Sequence, residues 1–294
     1  MKTVVTTPQL RAALAADRAA GKRVALVPTM GNLHDGHLQL VRRAQKLADV
    51  VVVSIFVNPL QFGANEDLDS YPRTLAADRE KLFAEGVQYL FHPTVDEIYP
   101  AGMAAHTTVN VPELSDTLCG ASRPGHFTGV ATVVTKLLNI VQPEVAVFGE
   151  KDFQQLAVIR RMVADLCIPV TIVGVGTARA EDGLALSSRN GYLSEEQRRI
   201  APRLHAILQE CREAIACGFD NYDELEEHAR AALTEAGFRP DYVSIRDART
   251  LREVTPETEQ IVVLGAAWLG QPRLIDNVTL NLNPSQDWGM LVAG

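Results

Sequence analysis

Pro28-Thr29-Met30-Gly31-Asn32-Leu33-His34-Asp35-Gly36-His37 joins two segments of opposite character. Before it, Val24 to Val27 is an unbroken apolar run that reads as a buried strand; after it, Leu38 to Ala48 is amphipathic and reads as a helix. The decapeptide is therefore a turn from a strand end into a helix N-terminus. Unpaired backbone N–H groups and the positive end of the helix dipole meet there, which favours a phosphate. Gly31 and Gly36 permit close backbone approach, and the imidazoles of His34 and His37 can donate hydrogen bonds to oxygens. Two other readings stay open at this point. A metal pair would put both imidazoles on one helical face, but zinc needs a third and a fourth ligand and none follows at a customary spacing. A purely structural cap is the second.

Composition narrows the class. With 294 residues the chain has room for about two domains and a large core. A net charge of −8 argues against a nucleic-acid-coating surface, leaving room for a local basic site. The four cysteines (Cys119, Cys167, Cys211, Cys217) form no C-x-x-C pair and read as thiols of a reducing cytoplasm. The N-terminus, with Pro8 and early charges, is not a signal peptide, and apolar runs such as Val50 to Val57 are too short for a bilayer.

The opening junction recurs. Strands are expected at Val24–Val27, Val50–Val57, Val87–Phe91, Val145–Phe148 and Val170–Val173, alternating with helices at Leu38–Ala48, Leu75–Ala84, Val130–Ile140 and Phe153–Leu166. Short β-branched runs without polar alternation suit strands covered on both faces. The expected fold is α/β, a doubly wound parallel sheet binding ligands at the C-terminal strand ends. The pattern changes near residues 176–190. A capping box at Ser194-Glu195-Glu196-Gln197 opens a helix toward Gly218, kinked at Pro202, and Asn221-Tyr222-Asp223-Glu224 opens another that stops near Gly237. Strands at Tyr242–Arg246, Ile261–Trp268 and Val278–Leu282 complete a smaller α+β domain, and the chain from Asn283 reads as a frayed tail.

Three further clusters carry polar chemistry. Phe148-Gly149-Glu150-Lys151-Asp152-Phe153-Gln154-Gln155 begins where a strand ends; Lys151 can neutralise phosphate, Asp152 can accept from ribose hydroxyls, and Gln155 shares its helical face. Asp182-Gly183-Leu184-Ala185-Leu186-Ser187-Ser188-Arg189-Asn190 combines hydroxyls and a guanidinium on a loop, an anion clamp. In Phe56-Val57-Asn58-Pro59-Leu60-Gln61-Phe62-Gly63, Asn58 and Gln61 offer uncharged donors and acceptors for a substrate bearing hydroxyl and carboxylate groups. The bland alternatives are a solvated helix start, a polar linker and a plain turn. Gly174-Val175-Gly176 after a strand lacks the third glycine of a dinucleotide fingerprint, and no P-loop is present. Glu66, Asp67 and Asp69 read as a solvated turn, while His92, His106, His205, His228, Trp268 and Trp288 carry no site pattern.

In chain order, PTMGNLHDGH, FVNPLQFG, YPRT (Tyr71–Thr74), RPGHFTGVATVVTKL (Arg123–Leu137), FGEKDFQQL and DGLALSSRNGYL resemble the pantothenate synthetase (pantoate–β-alanine ligase) family over nearly the whole chain. That family resembles class I aminoacyl-tRNA synthetases and cytidylyltransferases in its nucleotide-binding fold. The resemblance implies a Rossmann-like, HIGH-type nucleotidyltransferase domain over residues 1–180 that binds nucleotide and pantoate, and a smaller C-terminal α+β domain over 181–294 that closes over the active site. It implies ATP binding by Met30, Gly31, Asn32, Leu33, His34, Asp35, Gly36 and His37, then by Gly149, Glu150, Lys151 and Asp152, the backbone of Ala178, and Leu186, Ser187, Ser188 and Arg189. His37, His34 and Lys151 are the implied catalytic residues; Gln61, Gln155 and Asn58 are the pantoate and β-alanine contacts. Leu186 stands where some members carry Met. Asp78 falls in a region associated with Mg²⁺ but is not counted among the sites. ATP and Mg²⁺ are implied as substrate and cofactor, without metal ligands assigned, and a cytoplasmic homodimer as the assembly. The reaction so implied condenses pantoate with β-alanine through pantoyl adenylate, releasing AMP and pyrophosphate.

Overall fold

Two strands that separate at their C-terminal ends organise the N-terminal half. In the computed structural model, which describes residues 1–63, 66 and 68–282, β2 (Val24–Thr29) pairs in parallel with β3 (Val50–Ile55) along its whole length, Val24↔Val50 to Thr29↔Ile55. On its other side β2 pairs with β5 (Val145–Gly149) only at Ala25↔Val145 and Leu26↔Ala146. β5 continues against β6 (Thr171–Val175) up to Gly149↔Val175. The sheet therefore opens between Val27–Thr29 and Val147–Gly149. With β1 (Lys2–Val4) and β4 (Tyr89–Phe91), its order is β1-β4-β3-β2-β5-β6, all parallel. The chain winds outward from β2 in one direction and from β5 in the other, so the opening is the topological switch point of a doubly wound sheet.

Right-handed crossovers in opposite directions put helices on opposite faces. α2 (Asp35–Gln45) and α3 (Leu75–Ala84) cover one face, where Leu40, Val41, Ala44 and Leu82 pack on Ala25, Val27, Val51, Val53, Val145 and Val147. α6 (His126–Val141) and α7 (Phe153–Asp165) follow the reversal and pack together, joined by α1 (Thr7–Ala19) on α6. Two single turns, α4 (Val95–Ile98) and α5 (Cys119–Ser122), lie between β4 and α6.

By internal contacts the chain divides into residues 1–180 with 185–190, and 181–184 with 191–294. The second unit contains α8 (Glu195–Ile200), α9 (Arg203–Ala216) and α10 (Tyr222–Glu235), with an antiparallel sheet β7-β8-β9 (Arg239–Asp247, Gln260–Trp268, Arg273–Asn281). Leu204 and Leu208 of α9 pack closely over Gly265 of β8, and Glu226 of α10 accepts from the Ile245 N–H at 2.7 Å.

Several expectations shift. β1 and α1 lie outside the expected elements: Thr6 caps α1 and Pro8 lies in its first turn, where no N–H is needed. The Val50–Val57 run ends as a strand at Ile55. The fifth expected parallel strand extends past Val173, because its register with β5 carries Gly174 and Val175 into β6; these residues therefore do not follow a strand. α6 starts at His126, four residues before the expected helix. Pro202 separates α8 from α9 outright. The expected tail from Asn283, with Trp288, and Asp67 lie outside the described residues.

Candidate active site

The opening between β2 and β5 continues into a cleft of about 240 Å³. Pro28, Thr29 and Met30 line it from β2, and Phe148, Gly149, Lys151 and Asp152 from β5. The third wall is the segment 176–178 and 186–189, where the Leu186 N–H donates to the Ala178 carbonyl at 2.8 Å. Ser188 Oγ donates to the Asn32 carbonyl at 3.2 Å, tying this segment to the decapeptide.

His34 is the N-cap of α2, and the two imidazoles form a reciprocal capping box. His34 Nδ1 accepts from the Gly36 N–H at 3.2 Å, and His37 Nδ1 accepts from the His34 N–H at 3.3 Å. The structural cap and the ligand-facing position therefore belong to the same residues, since His34, Gly36 and His37 all line the cleft. An Nδ1 that accepts carries no proton, so each neutral ring keeps its proton on Nε2. Burial, followed by the charge of Lys151, lowers the pKa of His34 to about 4. Burial, followed by His34 itself, lowers that of His37 to about 3. At neutral pH the pair consists of uncharged N–H donors, and Lys151 supplies positive charge beside them.

Gly36 leaves room for this arrangement: a Cβ there would lie 2.9 Å from His34 Cε1. Asp78, 1% exposed, braces the turn from below. Its carboxylate accepts from the N–H groups of Asn32 (2.9 Å) and Leu33 (2.8 Å) and from Thr74 Oγ1 (3.1 Å).

The opposite end of the cleft is built around Gln61, in a short 3-10 turn (Pro59–Gln61). Asn58 Nδ2 donates to Gln61 Oε1 at 3.2 Å and to the Gly129 carbonyl at 3.1 Å. The turn rests directly on α6 at Gly129, where a Cβ would fall 2.4 Å from the Leu60 carbonyl oxygen. His126 Nδ1 donates to the Gln61 carbonyl at 2.7 Å, and Arg123 Nη1 donates to His126 Nε2 at 3.1 Å. Burial, followed by the Arg123 charge, lowers His126 to about 4, in keeping with a neutral ring. Burial opposes ionisation of Glu66, yet its hydrogen bonds and ion pair with Arg123 keep the pKa below the usual range.

Of the residues singled out from sequence, Met30, His34, Gly36, His37, Asn58, Gln61, Gly149, Lys151, Asp152, Gln155, Ala178, Leu186, Ser187, Ser188 and Arg189 line this one cleft. Gly31, Asn32, Leu33, Asp35 and Glu150 are not on its wall. Asn32 and Leu33 serve the Asp78 brace instead, and Asp35 opens α2. Arg123 and His126 also line the cleft; they stood inside a quoted motif, but their task on the Gln61 backbone left no mark in local spacing.

This geometry defines a doubly wound α/β protein with a donor-rich helix N-terminus facing a cleft at the switch point of its parallel sheet. Comparison with known proteins narrows the class. The pantoate-beta-alanine ligase family profile matches residues 2–279. The pantothenate synthetase of Pseudomonas entomophila (strain L48) is 61% identical over 282 residues, covering 96% of this chain and 98% of that protein. That of Pseudomonas aeruginosa PAO1 is 59% identical over 283 residues, covering 96% and 100%. Among solved structures, the pantothenate synthetase of Thermus thermophilus superposes with a TM-score of 0.88 at 48% identity, covering 95% of this chain and 99% of its own. The pantoate-beta-alanine ligase of Francisella tularensis, complexed with beta-gamma ATP and β-alanine, superposes with a TM-score of 0.77 at 34% identity, covering 95% and 97%. The chain belongs to the pantoate–β-alanine ligase family.

Proposed function

We propose that the cleft joins pantoate to β-alanine in two half-reactions, with ATP as the activating substrate. In the first, a pantoate carboxylate oxygen attacks the α-phosphorus of ATP, and pyrophosphate leaves with the electron pair of the broken P–O bond. In the second, the β-alanine amine attacks the acyl carbon of pantoyl adenylate, loses a proton and expels AMP. The observation that carries this reading is the neutral imidazole pair at the N-terminus of α2, facing the same cleft as Lys151. An anion attacking a polyanion is limited by electrostatics, so preorganised donors aimed at the developing charge are what such a site must supply. His34, His37 and the α2 N-terminus provide fixed donors, Lys151 and Arg189 provide charge, and Ser187 and Ser188 extend the donor set on the third wall. Gln61 and Gln155 hold the pantoate carboxylate and hydroxyls at the other end, and Asn58, expected from sequence as a third contact, is committed to Gln61, Gly129 and Tyr99 and supports the pocket from behind.

Among the described residues no three His, Cys, Asp or Glu side chains gather to hold a metal. The Asp78 carboxylate is committed to two backbone N–H groups and a hydroxyl. Magnesium enters the proposal with the nucleotide substrate, bridging phosphate oxygens, with no protein ligand assigned to it. No described helix is long and apolar enough to cross a membrane. A cytoplasmic homodimer is the assembly proposed, and sedimentation of the purified chain tests its size.

The deciding experiment incubates the protein with MgATP and pantoate, with and without β-alanine. Pyrophosphate should appear with pantoate, and AMP with the amide should follow only when β-alanine is added. ADP in place of AMP, or amide formation without pyrophosphate, would sink the mechanism.

A further inference from the structure

Tyr99 lies behind the cleft, 2% exposed, immediately after α4. Lys136 Nζ sits 5.0 Å over its ring while donating to the Ile98 carbonyl, and the Phe56 ring packs alongside at 6.3 Å. Its hydroxyl donates to Asn58 Oδ1 at 2.8 Å. Asn58, itself 1% exposed, in turn donates to Gln61 Oε1 and to the Gly129 carbonyl.

The orientation of this chain is forced. The Gly129 carbonyl can only accept, so the Asn58 atom facing it must be the amide nitrogen. Oδ1 then faces Tyr99, whose phenol must donate; burial raises the phenol pKa well above its usual range and keeps it protonated. The second N–H of Asn58 faces Gln61, so the Gln61 atom turned inward must be its carbonyl oxygen. Among the described residues, the amide nitrogen of Gln61 faces the weak acceptor Met30 Sδ, at 3.1 Å, and the cleft. His126 and Arg123 hold the Gln61 backbone carbonyl, so rotation of the side-chain amide is the freedom this relay removes.

We infer that Tyr99 is a positioning residue of the substrate pocket: its phenol anchors Oδ1 of Asn58, whose amide, oriented by the Gly129 carbonyl, keeps Gln61 turned with its N–H donors toward the cleft, matching an acceptor such as a carboxylate. This rests on the reading of Gln61 as a pantoate contact.

Four proteins test it by steady-state kinetics: wild type, Tyr99→Phe, Gln61→Ala and the double variant. Tyr99→Phe should raise the pantoate KM about tenfold and leave the ATP KM within about twofold. In the Gln61→Ala background the same change should add less than about twofold, because the group it orients is gone. An equal effect in both backgrounds means Tyr99 acts by packing alone and overturns the inference, as does an unchanged pantoate KM in Tyr99→Phe. A normal pantoate KM in Gln61→Ala overturns the pantoate reading of Gln61 itself, a separate result. Should Tyr99→Phe fail to fold, Asn58→Asp tests the Asn58–Gln61 step through which Tyr99 must act. The new carboxylate still accepts from Tyr99 but faces both the Gly129 carbonyl and Gln61 Oε1 with no donor, turning the Gln61 amide so that its carbonyl meets the substrate. The pantoate KM should rise by about thirtyfold or more when Gln61 is present and change little when it is Ala; equal changes in the two backgrounds overturn the relay.

Discussion

Asp78 accepts the backbone N–H of Leu33 at 2.8 Å across 45 positions of sequence. A residue of α3 thereby shapes the turn that delivers His34 to the N-terminus of α2. The cleft is held in this indirect way throughout: Asp78 below the decapeptide, Ser188 on the Asn32 carbonyl, His126 and Arg123 on the Gln61 backbone.

Asp78→Asn tests the first of these braces. The amide can keep its oxygen on Asn32 and Thr74, but its NH2 then faces the Leu33 N–H in a buried site. Leaving such a donor unsatisfied costs about 1–3 kcal/mol. The urea midpoint should fall with an unchanged slope, and the ATP KM should rise more than the pantoate KM. A midpoint equal to wild type would show that the carboxylate is not holding the turn.

The histidine pair sets a pH dependence with a defined sign. Both pKa values lie below the ordinary value of 6.5, at about 4 for His34 and about 3 for His37. Between those values and 6.5 the unfolded chain binds protons that the folded chain does not, so stability falls as pH falls through that window and is flat above it. For buried His37 the slope is at most about 1.4 kcal/mol per pH unit. Replacing His37 with Asn should flatten the stability profile between pH 4 and 6.5. Turnover should not decline from pH 6.5 to 8 through loss of imidazolium, because none is present; a titration near 6.5 in kcat/KM for ATP, removed by His37→Asn, would overturn the neutral-donor assignment.

Gly36→Ala separates stability from activity. Alanine is favoured over glycine in a helix by about 1 kcal/mol, yet the new methyl would lie 2.9 Å from His34 Cε1 and 3.0 Å from Nδ1. The ring must move and its cap bond with the Gly36 N–H is lost. The melting temperature should stay within a few degrees of wild type while adenylate formation drops about a hundredfold, the scale for losing a preorganised donor. Full activity in a folded Gly36→Ala protein would mean that the His34 position is not critical.

Much of the parallel sheet is legible because strands covered on both faces are unbroken apolar runs; α3 occupies the expected Leu75–Ala84. β1 is not legible, since three residues carry no period and the strand exists by pairing with β4. The clusters around His34, Lys151 and Ser187 are readable one by one as strand ends and loops, and a long-range fold brings them onto one cleft. The neutral state of the imidazoles is not readable locally, because burial and the charge of distant Lys151 produce it. Asp78, Tyr99, Arg123 and His126 escape for a related reason: they act on backbone atoms or through another side chain, so their partners are set by tertiary structure.

Adjacent Gln154 and Gln155 make the last distinction testable. Gln155 lines the cleft. Gln154, 3% exposed, points the other way: its Oε1 accepts the Cys119 N–H at 3.0 Å, and its Nε2 donates to the carbonyls of Leu114 (2.9 Å) and Thr117 (2.7 Å). Gln154→Ala strands those backbone groups and should cost about 1–3 kcal/mol of stability, with substrate KM values near wild type in the folded fraction. Gln155→Ala should leave the denaturation midpoint within about 0.5 kcal/mol of wild type and raise the pantoate KM about tenfold by removing a contact to substrate. Denaturation curves and pantoate titrations on the two variants decide the matter, and a reversal of the two profiles would show that the cleft is lined by the wrong glutamine.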